Sequence, residues 1–266
     1  MKCLRLLTLL PLCALISACL TGQQDPPFTL TLAHMNDTHS QFDPVNAELK
    51  GALFGNQGEI DTLYTRLGGY PRLLTMTKAY QAEALAKNQP LLLLHGGDAW
   101  QGSGYFKLNE GMANAELLSQ FGLDAMALGN HEFDLDNQKL ARFIQGVNFP
   151  VLAANLDSRD DPDLSRASNL KPFVIYAFDG NQKSPVTDLD HLPADKQLVA
   201  VIGLVLEDMA NISPNVGKLR FAKEVASAQA TVDLLQARGI QRVVALTHIG
   251  NARDLALAAK VNGLDA

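Results

Sequence analysis

The sequence predicts an α/β protein built on one large central sheet or a pair of sheets. Short apolar runs, such as the four leucines at 91–94, are typical of buried strands. Segments with a helical spacing of apolar residues lie between such runs, as at 71–86. Strand and helix patterns alternate in this way from residue 28 to residue 247, which is the order expected of an α/β fold.

Each predicted element rests on a local pattern. Residues 28–33 alternate apolar and polar side chains like a half-buried strand, and the helical segment 71–86 has a proline near its first turn. Residues 157–172 and 179–196 are rich in Asp, Ser, Asn and Pro, which predicts surface loops or a hairpin. The other predicted strands cover 91–94, 124–128, 151–154, 198–206 and 242–247, and the other predicted helices cover 112–121, 137–144 and 222–237.

The first residues of the chain predict export. A basic start containing Lys2 and Arg5 is followed by an apolar stretch at 6–16. That stretch is too short to span a bilayer, and its flanks fit a secretory signal peptide at residues 1–18. We therefore expect the protein on the periplasmic side of a bacterial membrane.

The end of this signal also predicts a lipid anchor. The run Ile-Ser-Ala-Cys at 16–19 resembles the lipobox of bacterial lipoproteins, in which the cysteine is lipidated and becomes the first residue. Ordinary signal cleavage after Ala18 is the alternative. Two or more acyl chains on Cys19 would anchor the protein to the membrane, and residues 19–27, with their Gly and Pro, would form a short tether.

Cysteine use and charge restrict the partners. All three cysteines lie in or at the edge of the signal, so the exported chain has no internal pair for a disulfide. Loss of the signal removes Lys2 and Arg5 and no acid, which changes the net charge from −6 to −8. No basic run is present, and this argues against binding of duplex nucleic acid. An anionic substrate would need positive charge from metal ions instead.

Polar side chains able to bind metal follow four predicted strands. They are Asp37 and His39 after the first strand, Asp98 after 91–94, Asn130 and His131 after 124–128, and His248 after 242–247. Each one alone could be a turn residue, a helix cap or a core histidine. Because α/β folds build their sites at the carboxyl ends of strands, the four coincidences together predict one site.

The mixture of ligand types predicts the metal. Carboxylate and amide oxygens combined with imidazole nitrogens suit borderline divalent ions such as Mn, Zn, Fe or Co. There are too many ligands for one tetrahedral ion. Two ions about 3.5–4 Å apart that share a carboxylate would use them all, and such a pair favours in-line displacement at phosphorus.

Six motifs carry a family resemblance. They are "NDTH", "GGDAWQGS", "GNHEFD", "VLAANL", "VAVIGL" and "LTHIG", in this order. The chain from about residue 29 to 266 thereby resembles the calcineurin-like metallophosphoesterases, specifically the periplasmic 5′-nucleotidase / UDP-sugar hydrolase family. The resemblance implies an α/β fold of the two-sheet αββα sandwich type for residues 28–266.

The resemblance also implies a set of metal ligands. Asp37 and His39 would bind one ion, Asp98 would bridge the two ions, and Asn130 and His248 would bind the other.

The residues around His131 have other implied roles. His131 would act as the catalytic group over the scissile phosphate, with Asp134 orienting its ring. Gly129 would permit the tight turn that directs this loop toward the metals. Glu132 and Phe133 are expected to be structural, whereas Trp100 is open between packing and lining the site.

The implied reaction is metal-dependent hydrolysis of a small phosphate ester, most simply a 5′-nucleotide, by a water that the ions activate. UDP-sugars and 2′,3′-cyclic nucleotides are related substrates. The alternative is a non-catalytic lipoprotein that binds metal or nucleotide. That alternative arises because the family's Gly-His-x-His or Gly-His-x-Gln motif and second domain are expected after Ala266, which makes 28–266 an incomplete domain.

Overall fold

The computed structural model describes residues 28–51 and 61–266. The predicted signal peptide, Cys19 and the tether at 19–27 lie outside the described residues. Within the described part of the chain, no helix has both the length and the apolar character needed to cross a membrane.

The chain alternates strands and helices. The strands are β1 (Thr31–Met35), β2 (Val45–Gly51), β3 (Asp61–Leu67), β4 (Leu91–His95), β5 (Ala125–Ala127), β6 (Val151–Leu152), β7 (Leu156–Asp157), β8 (Leu170–Lys171), β9 (Phe173–Asp179), β10 (Gln182–Val186), β11 (Gln197–Val205), β12 (Arg220–Phe221) and β13 (Arg242–His248). The helices are α1 (Tyr70–Ala86), α2 (Gly104–Asn109), α3 (Met112–Leu118), α4 (Asn137–Gly146), α5 (Met209–Ile212), α6 (Glu224–Ala237) and α7 (Asn251–Lys260).

Two sheets form the centre of the molecule. The first sheet has the order β1–β4–β5–β6–β8 and all its pairs are parallel. The second sheet has the order β10–β9–β11–β13, in which β11 and β13 are parallel and the other pairs are antiparallel. The remaining strands form two small pairs, β7 with β12 and β2 with β3.

Successive side chains of β4 bury on opposite faces of the first sheet, as the strand period requires. Leu92 and Leu94 pack between the two sheets, against β9, β11 and β13. Leu91 and Leu93 pack on the outer face, against α1, α3 and α4. The outer face of the second sheet is covered by α6 and α7. The layers are therefore helix, sheet, sheet, helix, which confirms the predicted αββα sandwich.

The two sheets approach each other closely at Gly203 of β11. A Cβ atom at this position would lie 2.3 Å from the Cβ of Leu152 in β6. Across the same contact the Ala154 N–H donates to the Gly203 carbonyl at 2.7 Å. Any side chain at position 203 would force the sheets apart, so this glycine is needed for space.

The elements in the structure differ from the predicted ones in several places. The first strand begins later than predicted, at Thr31. β9 was not predicted, and β10 lies within the segment 179–196 and pairs with it, so the hairpin alternative is correct there. The β2–β3 hairpin was not predicted either, because its alternating pattern contains few strongly apolar residues.

Candidate active site

The site lies where the carboxyl ends of β1, β4, β5 and β13 meet. The loops that follow these strands bring imidazole and carboxylate atoms into two groups, and within each group the ligand atoms lie within 4.8 Å of one another. One group is His39, Asp98 and His131, and the other is Asp37, Asp98 and His248. Asp98 belongs to both groups.

The Asp98 carboxylate is the buried centre of this arrangement, with 3% of the residue exposed. Its Oδ1 accepts the backbone N–H of His131 at 2.9 Å. Its Oδ2 lies 3.2 Å from Nε2 of His248, 3.9 Å from Nε2 of His39 and 4.0 Å from Nε2 of His131. One oxygen atom thus faces three imidazole nitrogens.

Asp98 and His248 form an acid–base pair. Burial by itself would raise the pKa of Asp98, but hydrogen bonds from His248 and from the backbone of His131 outweigh burial and hold that pKa below its usual value. Burial would likewise lower the pKa of His248, whereas Asp98 raises it to about 9. Metal ligands must be deprotonated, so a cation bound here displaces the shared proton.

Two of the histidines are held by backbone carbonyl groups. His39 Nδ1 lies 2.9 Å from the Trp100 carbonyl oxygen, and His248 Nδ1 lies 2.7 Å from the Gly96 carbonyl oxygen. A carbonyl only accepts, so each Nδ1 carries a proton and each Nε2 is the atom that can bind a metal, in His248 once the proton shared with Asp98 is displaced. This is the orientation of a metal-binding histidine, with the far nitrogen anchored and the near nitrogen free to bind.

The third histidine is held differently. His131 Nδ1 lies 2.8 Å from Oδ2 of Asp134, so its ring is anchored on a carboxylate. The His131 and His39 rings meet edge to face, with their centroids 5.2 Å apart. Nε2 of His131 also faces Asp98, so its position alone fits a ligand as well as a group that contacts a bound phosphate.

Asp37 is the exposed member of the second group. Oδ1 of Asp37 is 3.6 Å from Nε2 of His39 and 4.0 Å from Nε2 of His248. Asp37 therefore lies between the two histidines, slightly closer to the His39 with which it was paired in the sequence analysis. Asn130 is half-buried and directly precedes His131 at the start of the 3₁₀ turn His131–Phe133.

Glu132 ties two of the site loops together. This carboxylate is fully buried and accepts four backbone N–H groups, from Asp98, Ala99, Trp100 and Gly129, at distances of 2.7 to 3.2 Å. Sequence reasoning expected a structural role but did not identify these partners. The signal that could have found them is an acidic residue directly before the apolar Phe133, in the loop after a buried strand.

Gly129 is required for space. Its backbone φ is not in the left-handed region, so Gly129 permits the turn through its missing side chain and not through a left-handed backbone. A Cβ atom at position 129 would lie 2.1 Å from Oδ1 of Asp98. The two loops approach so closely that only a residue without a side chain fits.

A buried polar network supports the loop that carries Asp37 and His39. Thr38 Oγ1 lies 2.9 Å from the Tyr70 hydroxyl and 3.1 Å from Nε2 of His95. Ser40 donates to Oδ1 of Asn114 at 3.1 Å. Burial raises the pKa of Tyr70 to about 12 and lowers the pKa of His95 to about 3, so both groups are neutral at physiological pH. Sequence reasoning did not find this network.

Backbone strain is concentrated at the site. Among the described residues, seven non-glycine residues have positive φ, and the five that lie in the site loops are Asp37, His39, Ser40, Asp98 and Gln101. Such conformations persist only where the surrounding structure enforces them, and they cluster at functional sites.

Trp100 is a packing residue. It is fully buried and packs against Phe106 and Phe143, with ring centroids 5.4 and 5.5 Å away. Of the two alternatives left open by the sequence, the packing role is correct. Its backbone carbonyl still serves the site by anchoring His39.

The donor set fits divalent metal ions. Both groups combine carboxylate oxygens with imidazole nitrogens and contain no sulfur, which is the chemistry of Mn, Zn, Fe or Co sites. The anchored Nδ1 atoms of His39 and His248 supply the outer hydrogen bonds that such ligands require.

Residues 30–265 match the family described as calcineurin-like phosphoesterase. The chain belongs to the calcineurin-like phosphoesterase family. The resemblance drawn from the six motifs is thereby confirmed, and membership of this family implies divalent metals at the site.

Similar proteins include nucleotidases. The chain is 31% identical to a 5′-nucleotidase of Diplobatis ommata, over 90% of this chain and 36% of that protein. It is 30% identical to the NAD 5′-nucleotidase of Haemophilus influenzae, over 89% of this chain and 34% of that protein. The crystal structure of a 5′-nucleotidase precursor from Thermus thermophilus superposes with a TM-score of 0.72 at 33% identity, over 89% of this chain and 40% of that chain. The chain thus spans little more than a third of the length of the two relatives.

Proposed function

We propose that this chain carries the catalytic metal site of an exported hydrolase that cleaves phosphate esters of nucleotides with two divalent ions. The observation that carries the proposal is the position of Asp98, whose Oδ2 atom faces both groups of ligands. A carboxylate shared between two groups is what a pair of adjacent ions requires.

In this proposal Asp37 and His39 would bind one ion, Asn130 and His248 would bind the other, and Asp98 would be shared. This division crosses the two groups, in which Asp37 lies with His248 and His39 with His131, and it is supported by the 3.6 Å between Oδ1 of Asp37 and Nε2 of His39. The anchored rings of His39 and His248 support these roles, because each is held at Nδ1 and presents Nε2 toward Asp98. Bound divalent ions supply positive charge for a phosphoryl group and make water more acidic. Mn, Zn, Co and Fe all suit the donor set.

His131 has a separate role in the proposal. Asp134 fixes the Nδ1 side of the ring, so Nε2 points into the site. There it stabilises charge that develops on the phosphoryl oxygens, or gives a proton to the leaving oxygen. His131 is thus the catalytic residue, and Asp134 holds it in position.

The names of the relatives support a nucleotide as the substrate. The experiment is phosphate release from AMP, UDP-glucose and 2′,3′-cyclic AMP by protein stripped with EDTA and then loaded with Mn, Zn, Co or Fe. We expect AMP to be hydrolysed by the loaded protein and not by the stripped one. A protein that holds two ions and releases phosphate from none of the three would contradict the proposal and support a binding role.

We also propose that residues 1–18 are a signal peptide, that Cys19 is lipidated, that 19–27 tether the domain 28–266, and that the protein lies on the periplasmic side of the membrane. The lipobox-like run at 16–19 supports this. Metabolic labelling with a fatty acid should mark the wild-type protein and the control variant Cys13→Ser but not Cys19→Ser. Equal labelling of the Cys19→Ser and wild-type proteins, or no labelling of either, would refute the anchor.

A further inference from the structure

Gln101 connects two loops of the site through its side chain. It lies on the turn after β4, three residues beyond Asp98, and its Nε2 donates to Oδ2 of Asp134 at 2.9 Å. The same oxygen accepts Nδ1–H of His131 at 2.8 Å. Gln101, Asp134 and His131 therefore form a continuous chain of hydrogen bonds that ends at the imidazole.

The orientation of the Gln101 amide is fixed. Its Oε1 accepts the backbone N–H of Gly102 at 3.2 Å, so the NH₂ group must be the part that faces Asp134. An amide donates without carrying charge. It therefore holds the Asp134 carboxylate in place and leaves the whole negative charge to His131, whereas a lysine or arginine here would compete as a counter-charge.

The backbone of Gln101 is strained. Its φ is +75°, in the left-handed region that favours glycine, and glutamine is not among the residues enriched there. The next residue, Gly102, is also left-handed with φ of +87°. A glycine at position 101 would adopt this conformation without strain. The protein has a glutamine there in spite of the strain, which indicates that the side chain has a role.

We propose that Gln101 is a positioning residue that locks the Asp134 carboxylate against His131 and thereby keeps Nε2 of His131 directed into the site. The proposal rests on the proposed function and deepens it by naming the residue through which the loop after β4 controls the catalytic imidazole. Gln101 itself contacts neither substrate nor metal ligands in this role.

The first test is a double-mutant cycle in metal-loaded protein with AMP as substrate. Gln101→Met should lower kcat roughly 10-fold, the effect typical of removing an outer hydrogen-bond partner, while KM and bound metal stay unchanged. In an Asp134→Ala background the same substitution should change kcat by less than about 2-fold, because Gln101 acts through Asp134. Gln89→Met is the matched control, since Gln89 is also half-buried and donates to a side chain, Thr31, away from the site.

A second variant separates positioning from a structural role. Gln101→Gly relieves the positive φ, so the melting temperature should stay the same or rise while kcat falls as in Gln101→Met. A structural role would lower the melting temperature and kcat together. An equal fall in kcat with and without Asp134 would overturn the proposal, as would unchanged kcat in Gln101→Met.

The third readout does not depend on activity. In metal-free protein, NMR should show a slowly exchanging Nδ1–H proton on His131 that is lost in Asp134→Ala, broadened in Gln101→Met and intact in Gln89→Met. If AMP is not hydrolysed but these spectral changes occur, the proposed function fails and the positioning role stands. If AMP is hydrolysed and Gln101→Met leaves the His131 signal intact, the positioning role fails and the proposed function stands.

Discussion

The two carbonyl-held histidines and the carboxylate-held histidine occupy one site but differ in what anchors their far nitrogen. His39 and His248 donate to backbone carbonyls of the loop after β4. His131 donates to the carboxylate of Asp134. Carbonyl and carboxylate anchors both orient an imidazole so that its other nitrogen faces into a site. In the proposal above the two carbonyl-held rings bind metal and the carboxylate-held ring contacts the phosphate, and variants of each kind of histidine test this division.

The largest expected effect follows from replacing the residue that both kinds of histidine share. Asp98→Asn should lose both ions by metal analysis and lower turnover about 10³-fold or more, since bound ions supply several kcal/mol of transition-state stabilisation. Asn130→Ala should lose chiefly one ion. Asp124→Asn is the matched control, because Asp124 is also buried but pairs with Lys183 away from the site. Two ions retained in Asp98→Asn would show that this residue is not shared.

The next prediction concerns the stability of the protein and Glu132, which links the loop after β4 to the loop after β5. Glu132→Gln replaces a carboxylate that accepts four N–H groups with an amide that has one acceptor oxygen. We expect the free energy of unfolding of the metal-free protein to fall by about 3 kcal/mol in urea titration, since unsatisfied buried donors cost about 1–3 kcal/mol each. A change below about 0.5 kcal/mol would mean that Glu132 does not hold the loops together.

A smaller effect, on kcat alone, is expected when only the carboxylate that anchors His131 is changed. Asp134→Asn should keep its bound metal and lower kcat roughly 10–100-fold, because the ring loses its negatively charged anchor but not its place in the loop. Metal content and kcat measured on the same preparation check this. Loss of an ion from Asp134→Asn would show that Asp134, together with the His131 ring that it holds, takes part in metal binding.

The smallest effect, on the free energy of unfolding, is expected at Tyr70, which contacts the residue before His39. Tyr70→Phe removes a hydroxyl that contacts Thr38, so it should cost about 1 kcal/mol of unfolding free energy at pH 8. Burial raises the folded-state pKa of Tyr70 from 10.0 to about 12, so the wild-type protein loses stability as pH rises from 10 through 12, while the Phe variant lacks this loss. The difference between the two proteins should shrink and then reverse over that range. A constant difference from pH 8 to 12 would contradict the assigned burial.

The sequence predicted the parts of the site that depend on local pattern. Asp98 and His248 each come at the carboxyl end of an apolar strand, where α/β folds build their sites, so both could be assigned to a site from the sequence. Their strands, β4 and β13, belong to different sheets, and only the packing of the two sheets brings them together. Glu132 and Gln101 were not assigned their contacts, because those partners come from a second loop that only the folded chain brings close. The physical reason for Gly129 could not be read from the sequence for the same cause, since the clash with Asp98 arises between loops.

The distinction between the two kinds of histidine is tested most directly by metal stoichiometry and turnover measured together on His131→Asn and His248→Asn. We predict that His131→Asn keeps its metal while kcat falls about 10²–10⁴-fold, the range for a general acid–base or charge-stabilising group. His248→Asn should lose metal first, with activity partly recovered in excess Mn. Loss of metal from His131→Asn with turnover per bound ion preserved would show that His131 is a ligand and would contradict the account.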